Sequence, residues 1–387
     1  MKIDVVGAGP GGLYFALLAK KRNPQFHVTV YERNPQDATY GFGVALQNSS
    51  WEYLAADDKA CLKDIIAAST PIHGQQITHQ DTAIEFRSPL PNAGIERVAL
   101  LRVLREHAAA AGVAIHYTAA VADVARLSAA DVVVGADGIH SVVRQAHEAA
   151  FGTSTRTLTS RLAWYGTTKP FPTSRLTFRK TPYGYFWSVG YAHSSEHSTF
   201  VAECEEKAWY ASGMAEMNPD EQVAFTESLF ADELNGARIL SNHSAWKPLP
   251  VIRVQQWSVG RHVLLGDALH SPHPSIGSGT RLAMGDASTL AECLGEFSMD
   301  PLVALAAYRT RREPSKMKLV VAMEKSMEWY EHIGARLDGM RPIELAYDYM
   351  SRTGRMSLER IKMFAPDFYR VHGAEFEAIA AARAAAQ

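Results

Sequence analysis

The sequence predicts a mixed α/β fold, α+β overall, in which two kinds of sheet share one chain. The first residues read as an apolar strand, "IDVV", a glycine-rich turn, a helix and a second strand, "FHVTVYER", which is a βαβ unit. Residues 156–204 read as β-rich segments separated by turns, and the chain after Thr280 has helical spacing. We therefore expect a Rossmann-like domain with a parallel sheet, interleaved with an antiparallel-sheet domain and followed by C-terminal helices.

Each region follows from its own pattern. A helix is expected through "WEYLAADDKACLKDI", after a glycine-rich loop that starts at Thr39, and hairpins are expected between residues 70 and 91. A helix through "RVALLRVLREHAAAAG" precedes two strands, "VAIHYTA" and "DVVVGADG". Past Glu205 the chain is expected to be mostly helical until the strand "HVLLGD".

Composition limits the possible functions. The 387 residues are 47% hydrophobic and 21% charged, with a formal net charge of −2, which suits a globular protein and provides no basic stripe for nucleic acid. No apolar run reaches the roughly 18 residues of a membrane helix, and the first residues lack a signal-peptide pattern. Cys61, Cys204 and Cys293 have no C-x-x-C spacing. We expect a cytoplasmic protein without membrane or nucleic-acid partners.

The N-terminal turn has the pattern Gly7-x-Gly9-x-x-Gly12 between a strand and a helix. The first glycine makes the turn, the second lets backbone approach a pyrophosphate, and the third allows close helix packing. Glu32 ends the second strand 20 residues beyond Gly12, where a carboxylate can accept the ribose hydroxyls of an adenosine. We predict a site for FAD or NAD, and not for NADP, in preference to a purely structural glycine turn.

A second motif, "VVVGADGIHSVVR", places Asp137 and Arg144 after a buried strand. Taken alone, this motif fits equally well a capped helix with Arg144 in solvent. In combination with the N-terminal turn it favours a second part of the same binding site.

The stretch "GDALHSPHPSIGSGT" allows three interpretations. A zinc site would need a third ligand besides His270 and His273, and the prolines beside them argue against a helix that presents both. A nucleophile elbow needs G-x-S-x-G, which the stretch lacks. In the third interpretation, Asp267 binds sugar-like hydroxyls, and the backbone of Gly277 and Gly279 lies against a flat or anionic group. We favour the third and predict no metal site.

These motifs, in this order and followed by "AMGDA", resemble the single-component (group A) FAD-dependent aromatic hydroxylases, which have the para-hydroxybenzoate hydroxylase fold. Within that class, "YGFGVALQNSS", "WYGTTKPF", "STFVAECEE" and "SRTGRMSLERIKMFAPDF" resemble salicyloyl-CoA 5-hydroxylases, the hydroxylase part of anthraniloyl-CoA monooxygenases and a violacein-pathway hydroxylase. The resemblance covers nearly the whole chain.

The resemblance implies a set of cofactor contacts. It places the three glycines of the first turn at the FAD pyrophosphate and Glu32 at the adenosine ribose, and the neighbouring Arg33 is counted among the cofactor-binding residues. It places Arg97 near the pyrophosphate and ribityl chain, and Asp267 at the ribityl hydroxyls. The backbone that would line the isoalloxazine ring belongs to Pro274, Gly277, Ser278, Gly279 and Thr280. Asp137 and Arg144 would support the flavin phosphates or a passing nicotinamide cofactor.

The expected domains are interleaved. Residues 1–70, 92–155 and 255–300 would form the FAD-binding domain, and residues 71–91 and 156–254 the β-rich substrate domain. Residues 301–387 would form a C-terminal helical region. The expected oligomeric state is a monomer or a homodimer.

The resemblance also implies a reaction. NADH or NADPH, binding transiently, would reduce tightly bound FAD, O2 would add to give a C4a-hydroperoxide, and one oxygen would pass to an aromatic ring. The expected substrate is an aryl-CoA thioester such as salicyloyl-CoA, or a small aromatic or indolic acid. The alternatives are an FAD-dependent reductase or dehydrogenase on the same fold, and a flavin-binding protein without turnover.

Two departures from the class pattern bear on this reaction. Residues 278–281 read Ser-Gly-Thr-Arg where many members have Gln-Gly-x-Asn. The chain also ends at Gln387 without the reductase barrel of anthraniloyl-CoA monooxygenases, so ring reduction after hydroxylation is not expected.

Arg175, Arg179 and Lys180 form only a modest basic cluster, which neither favours nor excludes a CoA substrate.

Candidates for substrate contact and proton transfer are open to simpler interpretations. Tyr183, Tyr185, Trp187 and Tyr191 lie at alternate positions of one predicted strand, so they share one face. That face is either ordinary core or, as the site hypothesis requires of Tyr185, Trp187 and Tyr191, the wall of an aromatic pocket. His273 is the first candidate for an acid or base, because imidazole titrates near neutral pH. Gln47 and His193 are weaker candidates, and each of the three residues can equally be packed or solvated.

Overall fold

The computed structural model describes residues 1–38, 41–242, 244–271 and 273–385. Thr39 and Tyr40, at the start of the predicted glycine-rich loop, and Pro272, in the predicted cofactor stretch, lie outside the described residues. The strands, numbered in chain order, are β1 (Lys2–Val6), β2 (His27–Tyr31), β3 (Gly43–Leu46), β4 (Thr70–His79), β5 (Thr82–Glu96), β6 (Ala114–His116), β7 (Val132–Gly135), β8 (Thr153–Thr167), β9 (Ser174–Thr181), β10 (Gly184–Ala192), β11 (Ser198–Cys204), β12 (Ile239–Leu240), β13 (Lys247–Val254), β14 (Ser258–Val259) and β15 (His262–Leu264).

The α-helices alternate with these strands and then dominate the end of the chain. They are α1 (Pro10–Arg22), α2 (Trp51–Ala67), α3 (Arg97–Ala110), α4 (Val142–Ala146), α5 (Glu148–Phe151), α6 (Glu206–Ala211), α7 (Pro219–Leu229), α8 (Ala231–Leu234), α9 (Gly279–Glu296), α10 (Pro301–His332), α11 (Gly334–Leu337), α12 (Pro342–Ser351), α13 (Leu358–Phe364) and α14 (Pro366–Ala385). None of the helices in the described ranges combines the length and the apolar character needed to cross a bilayer.

The first sheet is the predicted parallel sheet. Its strand order is β14-β15-β7-β1-β2-β6, and every neighbouring pair is parallel except β14 with β15. Strands β1 and β7 are apolar and almost wholly buried, as expected of strands covered on both faces. The chain leaves β1 towards β2 and later returns to β7 on the other side of β1. The carboxyl ends of β1 and β7 therefore form a switch point, where ligands bind in open α/β sheets.

The second sheet is mixed and has nine strands. Eight of them lie in the order β12-β8-β11-β10-β9-β4-β5-β3, and β13 pairs with β8 beside this path. The pair of β4 with β9 is parallel, and the other pairs are antiparallel. Strand β3 lies within residues 1–70, which the sequence assigned to the first domain, yet it pairs with β5 in this sheet. The fold class is confirmed, and the domain boundaries stay a prediction.

Residues 247–254 correct the expectation that the chain after Glu205 is mostly helical. They form β13, which pairs antiparallel with β8 and shifts register between Pro248 and Pro250. Proline lacks the N–H that a central strand would donate, so within sheets it is confined to edges and irregular pairings. The two prolines thus argued against a helix here and fit the strand that formed.

The C-terminal helices cover one face of the second sheet. Their aromatic and aliphatic side chains form one buried cluster with side chains from β4, β9 and β10, which includes Ile77, Leu176, Phe178, Tyr185, Trp187, Trp329, Tyr330, Tyr349 and Phe376. Helix α9, in contrast, packs on α1 next to the first sheet.

Candidate active site

The glycine turn between β1 and α1 has two positions that exclude a side chain and one that does not. Gly7 has a φ of +103°, and a Cβ there would lie 2.5 Å from the carbonyl oxygen of Ala136. A Cβ on Gly12 would lie 2.1 Å from the carbonyl oxygen of Gly7. A Cβ on Gly9 would lie 3.9 Å from its nearest neighbour, the same Ala136 oxygen. Gly7 and Gly12 therefore close the turn, while the backbone at Gly9 faces open space.

The first turn of α1 offers N–H groups to an anion. Gly9 is the N-cap residue and Pro10 begins the helix. No side chain caps this end, and its first turn, which the structure describes in full, contains no acidic residue. The helix macrodipole adds partial positive charge at the same place. A pyrophosphate could bind these N–H groups without displacing a protein carboxylate.

Glu32 reaches the glycine turn from the end of β2. Its Oε2 accepts a hydrogen bond of 2.9 Å from the backbone N–H of Ala8. Its Oε1 accepts hydrogen bonds from the backbone and side-chain nitrogens of Asn34, at 2.9 and 2.8 Å. The neighbouring Arg33 is exposed. The carboxylate thus lies beside the turn, in a place consistent with its predicted contact with a ribose.

Asp267 and Arg97 lie near enough for their charges to interact. Asp267 follows β15 in a single 3-10 turn, Gly266–Ala268, and its side chain is exposed to solvent. Protein walls surround it nevertheless, and the resulting desolvation raises the pKa of its carboxyl, an effect opposed by Arg97. Desolvation lowers the pKa of Arg97, and the nearby charges of Asp267 and Glu32 oppose that shift. Three predicted residues from separate segments are therefore brought together.

The loop before α9 is fixed by hydrogen bonds from Gln47, the residue that follows β3. Pro274–Ile276 forms a 3-10 turn, Gly277 follows in the left-handed region with a φ of +57°, and α9 begins at Gly279. The Ser278 hydroxyl donates to the carbonyl of Ile276 at 3.1 Å. Gln47 donates to the same carbonyl at 3.0 Å and accepts from Arg281 at 3.1 Å. The observed position of Gln47 is that of a residue that fixes this loop.

His273 is buried, and its ring faces protein groups on both sides. Its Nδ1 accepts a hydrogen bond of 3.2 Å from the backbone N–H of Ser275, which leaves the ring proton on Nε2. Nε2 lies 3.4 Å from Oε1 of Glu203, and the ring stacks on Tyr330 with centroids 5.4 Å apart. His273 therefore forms an internal pair with Glu203 at the start of the loop.

Sequence reasoning missed Glu203. This buried carboxylate also accepts from Nε1 of Trp187 at 2.9 Å and from the hydroxyl of Ser160 at 3.0 Å. The available signal was a single acid at an inward position of the apolar segment "STFVAEC". Acids are almost never fully buried without partners, so that position pointed to an internal polar network.

The row of aromatic residues on β10 divides between two environments. Tyr185 donates to Asp338 at 2.6 Å, and Trp187 packs near Phe178 and Tyr330, with ring centroids 6.1 and 6.0 Å away. Both residues lie in a buried cluster beneath the C-terminal helices, and their predicted place in the wall of an aromatic pocket stays a prediction. Tyr183 precedes the strand and is 40% exposed.

Tyr191 and His193 lie at the other end of β10, next to β3. The hydroxyl of Tyr191 donates to the carbonyl of Gly43 at 3.0 Å, and Nδ1 of His193 lies 3.1 Å from the Thr199 hydroxyl oxygen. Burial, together with the nearby His197, lowers the pKa of His193 to about 4. His193 is therefore a neutral ring near neutral pH, and it cannot serve there as an imidazolium acid.

The motif "ADGIHSVVR" is tied to the turn that carries Asp267. Asp137 accepts from the backbone N–H of Val142 at 2.7 Å, and burial raises the pKa of its carboxyl. The buried guanidinium of Arg144 donates to the carbonyl of Ala268 at 2.8 Å and to that of Ile139 at 2.5 Å. Arg144 thus joins two of the predicted motifs, and it is not in solvent.

A buried ionic cluster lies behind the same turn and was not assigned any role by the sequence. Asp286, in "AMGDA", is bonded to Nε of Arg312 at 2.8 Å and to Nζ of Lys316 at 2.7 Å. It also accepts from the backbone N–H of Gly266 at 3.1 Å. Burial disfavours its charge, but Lys316 and Arg312 hold the pKa of Asp286 below its usual value. Among the described residues, no group of three or more His, Cys, Asp or Glu side chains could hold a metal ion.

This geometry agrees with comparisons to known proteins. A family model described as "FAD binding domain" matches residues 1–322. The chain belongs to this family. It is 33% identical over 366 residues to salicyloyl-CoA 5-hydroxylase from Streptomyces sp, covering 91% of this chain and 70% of that protein. It is 34% identical over 360 residues to 3-hydroxy-4-methyl-anthranilyl-[aryl-carrier protein] 5-monooxygenase from Streptosporangium sibiricum, covering 92% and 95%.

Solved structures of low sequence identity share the fold. The tetrameric form of 2-methyl-3-hydroxypyridine-5-carboxylic acid oxygenase superposes with a TM-score of 0.69 at 19% sequence identity, over 93% of this chain and 95% of that one. The predicted resemblance and the predicted enzyme class, FAD-dependent aromatic monooxygenase, are confirmed. The roles of individual site residues stay predictions.

Proposed function

We propose that this family member hydroxylates the ring of an aryl-CoA thioester such as salicyloyl-CoA, or of a small aromatic or indolic acid, with NADH or NADPH and O2. The observation that carries the proposal is the proximity of Glu32 to the glycine turn, together with the interaction of Arg97 with the charges of Glu32 and Asp267. Its substrate class is supported by the 33% identity to salicyloyl-CoA 5-hydroxylase.

The residues around the glycine turn and Asp267 fit FAD. The uncapped N-terminus of α1 and the open backbone at Gly9 suit a pyrophosphate, and Arg97 adds a nearby cation. The exposed Asp267 carboxylate suits ribityl hydroxyls, and the backbone from Pro274 to Thr280 suits the ring system. When bound there, FAD would supply the redox chemistry, taking electrons from the nicotinamide and activating O2.

The chain's own residues would then position groups and exclude water. Gln47 holds the loop between His273 and α9, and the Glu203–His273 pair fixes the start of that loop. We assign His273 a positioning role, with its Nε2 facing Glu203. The site must exclude water, because an activated oxygen species that is exposed to water would decay before it reacted with the substrate.

The test uses purified protein loaded with FAD. We expect NADH or NADPH oxidation to accelerate when an aryl-CoA thioester or an aromatic acid is added, with one O2 consumed per nicotinamide. CoA thioesters and carboxylic acids that lack an aromatic ring should not accelerate this oxidation. Oxidation of the nicotinamide that needs no O2 would indicate a reductase or dehydrogenase instead. Failure of every aryl acid and thioester in a broad set to stimulate O2 uptake would contradict the proposal.

A further inference from the structure

A basic pocket of about 730 Å³ opens at the surface where β8 and β13 meet α10 and the residue after α12. Its charged lining consists of the cations Arg156, Arg253, Lys325, Arg336 and Arg352 and the carboxylates of Glu324 and Glu328. The chain as a whole has a net charge of −2. The local excess of positive charge is therefore a property of this surface and does not follow from composition.

The cations of this pocket are only partly neutralised by acids. Arg253 pairs with Glu324 at 2.5 Å, and Arg336 lies 3.2 Å from the buried carboxylate of Asp348. Arg156 and Lys325 are exposed. Within the part of the chain that the structure describes, neither of them has an acidic partner within 4.0 Å. These two side chains are available to an anion from solution.

Arg352 connects the pocket to the candidate active site. Its Nη2 donates to the carbonyl of Ser275 at 2.9 Å, and its Nε donates to the hydroxyl of Ser326 at 2.9 Å. The hydroxyl oxygens of Ser326 and Ser275 lie 2.8 Å apart. One wall of the pocket therefore contacts the loop that we propose to line the isoalloxazine ring.

We propose that this pocket binds the phosphates of the CoA part of the substrate, with Arg156 and Lys325 as the principal contacts. This inference rests on the proposed function and narrows its substrate to an aryl-CoA thioester. The nucleotide end of CoA carries several phosphate charges, which guanidinium and ammonium groups bind through charge-assisted hydrogen bonds. The uncharged pantetheine arm can extend from there towards Arg352 and the loop.

The basic cluster that the sequence offered does not provide such a site. Arg179 lies 2.5 Å from Asp232 and 3.8 Å from Asp81, and Lys180 lies 2.7 Å from Asp338. Two of its three cations are thus already paired, and the guanidinium of the third, Arg175, lies over the ring of Phe171, 5.3 Å from the centroid. Charge complementarity therefore favours the pocket lined by Arg156 and Lys325.

The experiment compares two substrates that share a ring and a thioester. Salicyloyl-CoA carries the phosphates, and salicyloyl-N-acetylcysteamine lacks them. In the double variant Arg156→Ala/Lys325→Ala, we expect the KM for salicyloyl-CoA to rise about tenfold or more, while the KM for the truncated thioester rises less than twofold. The KM of the wild type for salicyloyl-CoA should also rise with salt, because exposed charges are screened. The double variant Lys63→Ala/Arg102→Ala removes two exposed cations from α2 and α3 and should behave as the wild type.

Binding of free CoA to the FAD-loaded protein, measured by titration calorimetry, separates this inference from the proposed function. Should the wild type turn over no aryl thioester, the proposed substrate class fails, yet weaker binding of CoA to Arg156→Ala/Lys325→Ala than to the wild type still supports the pocket. Equal binding by the two proteins would overturn the inference. So would no binding at millimolar CoA, or a KM that rises equally for both thioesters. Turnover of an aryl group carried on an acidic carrier protein, without CoA binding, would also overturn it.

Discussion

Gly9 and Gly12 belong to the same turn but differ in what a methyl group would meet. Gly9→Ala adds a Cβ with no neighbour closer than 3.9 Å, and its φ of −71° suits alanine. We expect this variant to fold and to bind FAD at least about tenfold more weakly, because the methyl group enters the path of the pyrophosphate. The far-ultraviolet circular dichroism of the apoprotein and a fluorescence titration with FAD measure the two properties.

Gly12→Ala is the matched contrast. Its Cβ would lie 2.1 Å from the carbonyl oxygen of Gly7. Because the Cβ is attached to one backbone segment and the oxygen belongs to another, neither atom can move away easily. We expect a loss of about 3 kcal/mol in the free energy of unfolding, or insoluble protein. A Gly12→Ala protein as stable as Gly9→Ala would show that the turn is looser than the structure has it.

Asp267 is the second residue whose role can be tested directly. Asp267→Ala removes a carboxylate that interacts with the charge of Arg97, and with it the acceptor we propose for ribityl hydroxyls. We expect FAD affinity to fall about ten- to hundredfold, as for a lost hydrogen bond to a charged group. The ratio of flavin to protein absorbance after purification and the Kd of added FAD both report it. Asp367→Ala, at an exposed position on α14, should keep full occupancy; full occupancy in Asp267→Ala would exclude the proposed role.

The residues that sequence reasoning found and those that it missed differ in how their partners are spaced. Glu32 and Asp267 each end a strand of the parallel sheet, and carboxyl ends of such strands meet at one edge. Glu203 and Asp286, in contrast, are satisfied by side chains on other elements, such as His273 and Lys316. Periodicity and motif spacing contain no information on such distant pairs. A lone acid in an apolar segment was the only local sign of Glu203.

At the scale of elements, helices α9 and α10 are joined by the buried cluster of Asp286, Arg312 and Lys316. Asp286→Asn removes the carboxylate of the cluster and leaves the ammonium of Lys316 buried without its ion-pair partner, with only the weaker attraction of Asp267. We expect a loss of about 3–5 kcal/mol in the free energy of unfolding. Because Asp286 also accepts from the N–H of Gly266, FAD affinity should fall as well. Denaturant unfolding and FAD titration measure the two effects.

A second substitution checks the cause of that loss. Asp286→Asn/Lys316→Met removes the uncompensated ammonium and should recover part of the stability, since a buried pair can be replaced by neutral groups at little cost. Lys316→Met alone should be milder than Asp286→Asn, because the pair of Asp286 with Arg312 survives. A double variant no more stable than Asp286→Asn would mean that the loss comes from packing and not from charge.

The elements that sequence reasoning misjudged are those whose surroundings decide their form. Strand β13 was expected to be helical, yet it forms because β8 offers an edge that tolerates two prolines. The alternation in β10 correctly placed Tyr185 and Trp187 on one face. Alternation does not say what covers a face, and here the C-terminal helices do. Strand type follows from the local pattern, whereas exposure follows from the rest of the chain.

At the scale of the whole molecule, the pH dependence of stability includes a contribution from His193, a buried histidine beside β3 in the second sheet. Burial lowers the pKa of His193 from its ordinary 6.5 to about 4, so between these values the unfolded chain binds more protons than the folded one. The contribution of His193 to stability is complete above about pH 6.5 and is lost as the pH falls towards 4. Between pH 7 and pH 5 we expect it to remove about 1–2 kcal/mol from the free energy of unfolding.

Replacement of the titrating ring isolates this contribution. His193→Gln cannot be protonated, so its thermal midpoint should fall less between pH 7 and pH 5 than that of the wild type, even if it is lower at pH 7. His27→Gln, which changes an exposed histidine at the start of β2, should keep the wild-type dependence on pH. The same measurement bears on function, since a ring that stays neutral down to about pH 4 cannot produce an acid limb near pH 6 in the rate of hydroxylation. If the pH dependence of stability in His193→Gln is the same as in the wild type, the pKa of this ring in the folded protein equals its ordinary value. The ring would then be able to act as an acid.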